Sequence, residues 1–130
     1  MSDISEIALA FCRECYWAQV RGATIVDRSF MCGCDTAVSM SIAGTNFLGH
    51  FDYGNVGVVI EAVRSWCEVN ALGFRLEYVP PGKLADNGVW HVSINMPGHE
   101  NGYGGNTLSH LPKYLMEAAV EAARKLKGTA

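Results

Sequence analysis

The chain has 130 residues, 49% of them hydrophobic, and a net charge of −3 with histidines neutral. That size and apolar share point to one folded domain spanning residues 1–130 and exclude a disordered chain. The acidic balance argues against binding along a nucleic-acid polymer, which calls for a basic face, and no apolar run is long enough to span a bilayer.

The first 20 residues read as a helix from about residue 3. Asp3 and Glu6 have capping-box spacing. Ile4, Ile7, Ala8, Phe11, Cys15 and Ala18 form an apolar stripe, with Cys12 beside it and Arg13, Glu14, Trp17 and Arg21 towards the edges. Residues 21–53 are broken up by Gly22, Gly33, Gly44 and Gly49. ATIV and AVSMSI each have the makings of a short strand, and the expectation here is a loop with one short strand.

A second helix follows from Asn55 or Asp52, either of which can cap it. Val56, Val59, Ile60, Val63 and Cys67 make its apolar face, and Gly73 suits its end. Glu61, Arg64 and Glu68 are spaced for ion pairing on the polar side. Two alternating strands come next. Phe74, Leu76 and Tyr78 share one face of the first; Trp90, Val92, Ile94 and Met96 share one face of the second. The Pro80-Pro81-Gly82 and Asn87-Gly88 turns between them predict an antiparallel pair, and the Trp90 face needs a helix laid against it.

Residues 97–106, PGHENGYGGN, read as a flexible glycine-rich loop whose removal would leave the fold intact. A last helix opens near Ser109 and Pro112, with Leu111, Leu115, Ala118, Ala119, Ala122 and Leu126 inward and Arg124, Lys125 and Lys127 favouring its C-terminal end. The expected fold is α+β, with helices packed on a small antiparallel sheet in α-β-α layers.

EIALAFCRECYW, DYGNVGVVIEAVRSW, GVWHVSI and NTLSHLPKYLMEAAVEAARKL, in this order, resemble the phage ABA-sandwich family of small phage-encoded domains. The resemblance implies a phage or prophage origin. It transfers no catalytic residue.

Five cysteines with no basic leader-like segment point to the cytoplasm and to free thiols. Cys12 and Cys15, then Cys32 and Cys34, give C-x2-C and C-x-C separated by sixteen residues. That spacing makes a small zinc-binding module one alternative, although the second pair is tight and the first sits on an apolar stripe, where cysteine serves as a small hydrophobe. Nothing in the sequence brings His50, His91, His99 or His110 beside a cysteine for nucleophilic catalysis, and the neighbours His50/Asp52 and His99/Glu100 lack the spacing of a helical metal site.

The expected function is therefore non-enzymatic and free of metal or cofactor: capture of a small, flat, anionic ligand, such as a nucleotide-derived immune signal, as an anti-defence sponge. Glycines 98–105 offer backbone N–H groups to an anion, close to a helix N-terminus that carries His110 and Lys113. Aromatic and basic side chains complete the expected ligand site, which comprises Trp17, Arg21, Tyr53, His99, Tyr103, His110 and Lys113. The other alternative is a protein-binding or structural phage protein. Three apolar helix faces on a small domain favour a homo-oligomer in either case.

Overall fold

A computed structural model of the chain describes residues 4–18, 20, 22–26, 36–42, 48–82, 89–96, 99–105 and 110–128. For residues 26, 48, 96 and 99–105 the description covers the backbone alone. Helix α1 (Ile4–Phe11) passes directly into a π-helix (Cys12–Tyr16). Strands β1 (Ala23–Val26), β2 (Ala37–Ile42) and β3 (Leu48–Asp52) follow, then α2 (Val56–Val69), β4 (Gly73–Val79), β5 (Val89–Met96), β6 (His99–Gly105) and α3 (Leu111–Gly128). The fold is α+β, and no helix among the described residues is long and apolar enough to cross a membrane.

The sheet content exceeds the expectation. Residues 21–53 hold a three-stranded antiparallel sheet in the order β1-β2-β3, where one short strand was expected. Its central strand is buried on both faces over Ala37, Val38, Ser39 and Met40, which removes the in–out alternation that marks a half-exposed strand. The glycine-rich segment is also a strand. β6 pairs with β5 from Met96↔His99 to Trp90↔Gly105 and completes a second antiparallel sheet, β4-β5-β6. Removing it would strip β5 of one neighbour, so it is part of the scaffold and not a dispensable loop.

One apolar core joins these pieces, with α3 at its centre. Leu111, Leu115, Met116, Ala118, Ala119 and Ala122 are fully buried, and α3 packs on α1, α2, the π-helix, β5 and β6. Val92 and Ile94 of β5 meet this core, as their strand pattern predicts; Trp90 is only partly buried, its ring 5.1 Å from that of Tyr78. Alanines at four positions of α3 let neighbouring backbones approach closely.

Helix α2 begins as expected. Asn55 caps it, its Oδ1 accepting from the N–H of Gly57 at 3.0 Å and of Val58 at 3.3 Å. It ends earlier than expected. Gly73 already belongs to β4, and the left-handed residue is Ala71 at φ 56°. Leu72 N–H donates to the Cys67 carbonyl at 2.8 Å and Ala71 N–H to the Glu68 carbonyl at 3.2 Å. That pair of bonds defines a Schellman ending, with alanine where glycine is usual.

Candidate functional site: a groove along α2

A groove of about 1040 Å³ opens between α2, the π-helix and the C-terminal end of α3. Helix α2 lines it with Gly57, Val58, Glu61, Ala62, Ser65, Trp66, Val69 and Asn70, pairs of residues repeating once per turn. From Gly57 to Asn70 this face extends about 20 Å at 1.5 Å per residue. The core-facing stripe of α2 is Val59, Ala62, Val63 and Cys67. The groove therefore uses the adjoining stripe of the same helix, and Ala62 belongs to both.

The opposite wall comes from the π-helix. Trp17 N–H donates to the Cys12 carbonyl at 2.8 Å, five residues back. The wider turn buries Cys12 and Cys15 and leaves Arg13, Glu14 and Tyr16 on the groove. π-Helical turns are rare and concentrate at functional sites. Tyr16 is 40% exposed, yet its ring lies 4.7 Å from that of Phe51 and 5.1 Å from that of Trp17. Burial, then the neighbouring Cys12 thiol, raise its phenol above the ordinary value. Ala123, Leu126 and Lys127 of α3 close the third side.

Both carboxylates of the groove lining are already paired. Glu14 accepts two hydrogen bonds from Arg124, from Nε at 3.1 Å and Nη2 at 3.0 Å. Glu61 is held by Arg64, which also reaches Glu68 at 2.6 Å. Among the described residues neither Arg13 nor Lys127 forms an ion pair. The lining itself carries two cations, Arg13 and Lys127, and two carboxylates, Glu14 and Glu61, and both carboxylates are engaged by arginines outside it, Arg124 and Arg64. The N-terminus of α2, the positive end of its dipole, opens at the same groove through Asn55 and Gly57.

The described thiols are buried against this wall. Cys15 Sγ donates to the Ala119 carbonyl at 3.7 Å. Burial pushes the Cys15 thiol up to about 12 and the Cys67 thiol up to about 11, and raises Cys12 further still. A thiol held protonated is a poor nucleophile and a poor metal ligand. Cys32 and Cys34 of the expected zinc set lie outside the described residues. Among the described residues no group of three or more His, Cys, Asp or Glu side chains is placed to hold a metal.

The residues singled out from the sequence fall elsewhere. Arg21 and the side chains of His99 and Tyr103 lie outside the described residues. Trp17 is half-buried over Gly49 of β3, and Tyr53 is buried in the core. His110 is exposed at the start of α3, its ring 6.4 Å from that of Tyr114, and Lys113 lies 3.8 Å from Glu117. Trp17 follows the π-helix that Arg124 grips, and Lys113 is eleven residues from Arg124, about 16 Å along α3. None of these four lines the groove. The groove's own residues were missed because Val58, Ala62, Trp66 and Val69 repeat at helical spacing on the side of α2 that the stronger Val59–Cys67 stripe assigns to solvent. Neither a protein-family model nor a curated protein sequence matches the chain.

Proposed function

We propose that this chain is a non-enzymatic binding protein that holds a small, planar, anionic ligand in the groove along α2. The observation that supports this most directly is the placing of two cations without an ion-pair partner among the described residues beside aromatic side chains. Arg13 and Lys127 form no ion pair among the described residues, and they line the groove with the 40% exposed Tyr16, the partly buried Trp66 and the N-terminus of α2. Planar rings stack on such side chains, and Arg and Lys recognise phosphate. A volume of about 1040 Å³ suits a ligand at the large end of small molecules, the size of a dinucleotide. With the resemblance to phage-encoded domains, the sharpest form of this reading is cytoplasmic sequestration of a nucleotide-derived signal during infection.

A second reading is that the groove takes a helix of a protein partner. Val69, 82% exposed, supports it, because it extends an apolar stripe with Val58, Ala62 and Trp66 at the spacing helix-binding grooves read.

Native mass spectrometry of protein never exposed to chelator, with thermal shift against mono-, di- and cyclic dinucleotides, tests the first reading. Its expected result is a nucleotide-sized adduct and a raised melting temperature, both lost in the Arg13→Ser/Lys127→Ser variant. A bare mass with no shift from any nucleotide rejects it and leaves the protein-partner reading.

A further inference from the structure

The second sheet ends on β4, which has no neighbour on its other side among the described residues. This open edge is seven residues long, Gly73–Val79, and contains no proline, no lysine and no bulge in its pairing with β5. Those are the devices by which sheet edges are usually kept from pairing. The other edges differ: β1 is four residues long and β3 five, and β6 has α3 packed against it.

The order of residues along β4 is self-complementary. We propose that a second copy of this chain pairs with it, β4 against β4, antiparallel, about a two-fold axis through Leu76. In that register Arg75 stands opposite the partner's Glu77, and Glu77 opposite the partner's Arg75. Phe74 faces the partner's Tyr78, Leu76 faces its own symmetry mate, and Gly73 faces the partner's Val79. Directly opposed residues share a face of a sheet, so opposite charges meet on one side and apolar side chains on the other.

The structure holds the parts in readiness. Arg75 Nη2 and Glu77 Oε2 are 2.6 Å apart on the exposed face. In the dimer each exchanges this partner for the equivalent group of the second copy. On the opposite face Phe74 and Leu76 are only partly buried and Tyr78 is 49% exposed, although all three project on the side that carries the core residues Val92 and Ile94. Pairing two edges covers these side chains and satisfies the free backbone groups of both strands. The two three-stranded sheets become one of six strands, closed by symmetry so that no β4 edge remains. This surface is separate from the groove, whose lining includes no residue of β4.

Sedimentation velocity of the full chain, with circular dichroism as the folding control, tests the arrangement. The wild type is expected to be a dimer. Arg75→Glu and Glu77→Arg each set like charges opposite one another twice, and each is expected to weaken the dimer about tenfold or more while remaining folded. Mixing the two variants restores both opposite-charge pairs across the edge, since one copy carries two acids and the other two bases. The mixture is therefore expected to form a heterodimer that neither variant forms alone as a homodimer. A monomeric wild type, which would leave the edge uncovered or to another protein, overturns the proposal. So does a dimer indifferent to both substitutions, or a mixture that stays monomeric.

Discussion

Arg124 of α3 grips Glu14 of the π-helix with two parallel hydrogen bonds of 3.1 and 3.0 Å. The pair ties the two walls of the groove that α2 does not supply, and it removes a carboxylate charge from the groove's electrostatic field. Arg124→Ala leaves Glu14 uncompensated beside Arg13. Arg124 is exposed but Glu14 is largely covered, so the melting temperature is expected to fall by a few degrees at most. Affinity for an anionic ligand is expected to fall about twofold to threefold, an effect that shrinks with added salt. Titration calorimetry at two salt concentrations measures both.

Ala71 occupies the left-handed region at the end of α2, φ 56°, with its side chain exposed. A Cβ is strained there and glycine is not. Ala71→Gly is expected to stabilise the protein by about 0.5–1 kcal/mol after the entropy that glycine adds to the unfolded chain, a rise of a few degrees in Tm. Loss of stability on this substitution would show that the turn does not form.

How legible each element was follows from what holds it. Helices α2 and α3 and strands β4 and β5 carry their own periodicity, so Val59 and Val63, or Leu111 and Leu115, announce their faces before any fold is known. β2 carries one too, Val38, Met40 and Ile42 alternating with Ala37, Ser39 and Ser41, but it is short and flanked by glycine-broken sequence, and its burial on both faces over 37–40 shows only in the fold. β6 has almost no strand propensity in HENGYGG; it exists because β5 pairs with it residue for residue. The π-helix has no sequence signature at all. The groove was legible in principle, since Val58, Ala62, Trp66 and Val69 lie four, eight and eleven residues along one helix, but an apolar residue on an outer face becomes informative only when its neighbours are known.

The buried thiols set an alkaline limit. An unfolded thiol loses its proton near 9, whereas Cys15 in the fold keeps its own to about 12 and Cys12 beyond that. Groups whose folded value is raised contribute fully below the unfolded value and lose that contribution as pH climbs towards the folded one. The thiols' contribution is therefore expected to be constant below about pH 9 and to fall above it, by about 1.4 kcal/mol per pH unit for each such thiol. Denaturant titrations at pH 8, 9 and 10 measure the slope. At pH 8, alkylation of Cys12, Cys15 and Cys67 is expected only on unfolding.

Two glycines separate crowding from backbone freedom. A Cβ on Gly54 would collide with Thr36 Oγ1 and lie 2.8 Å from Thr36 Cβ, and that hydroxyl is 3.0 Å from Asp52 Oδ1, which also accepts from Gly54 N–H. Gly54→Ala is expected to cost about 1–3 kcal/mol as Thr36 is displaced. At Gly82 nothing among the described residues stands within 4 Å of an added Cβ. Gly82→Ala is expected to be close to neutral, and chemical denaturation of the two variants side by side checks the contrast.

The contacts between the π-helix and α3 join positions 104 and 110 residues apart in the chain, whereas both sheets are built from strands that follow one another directly. The meanders of each sheet close short loops, which is fast; docking of α3 on the first helical segment closes one of more than a hundred residues, which is slow. That docking also covers Leu115, Met116 and Ala119. The groove is therefore a product of long-range closure: its third wall comes from α3, more than a hundred residues downstream of the π-helix wall it is tied to.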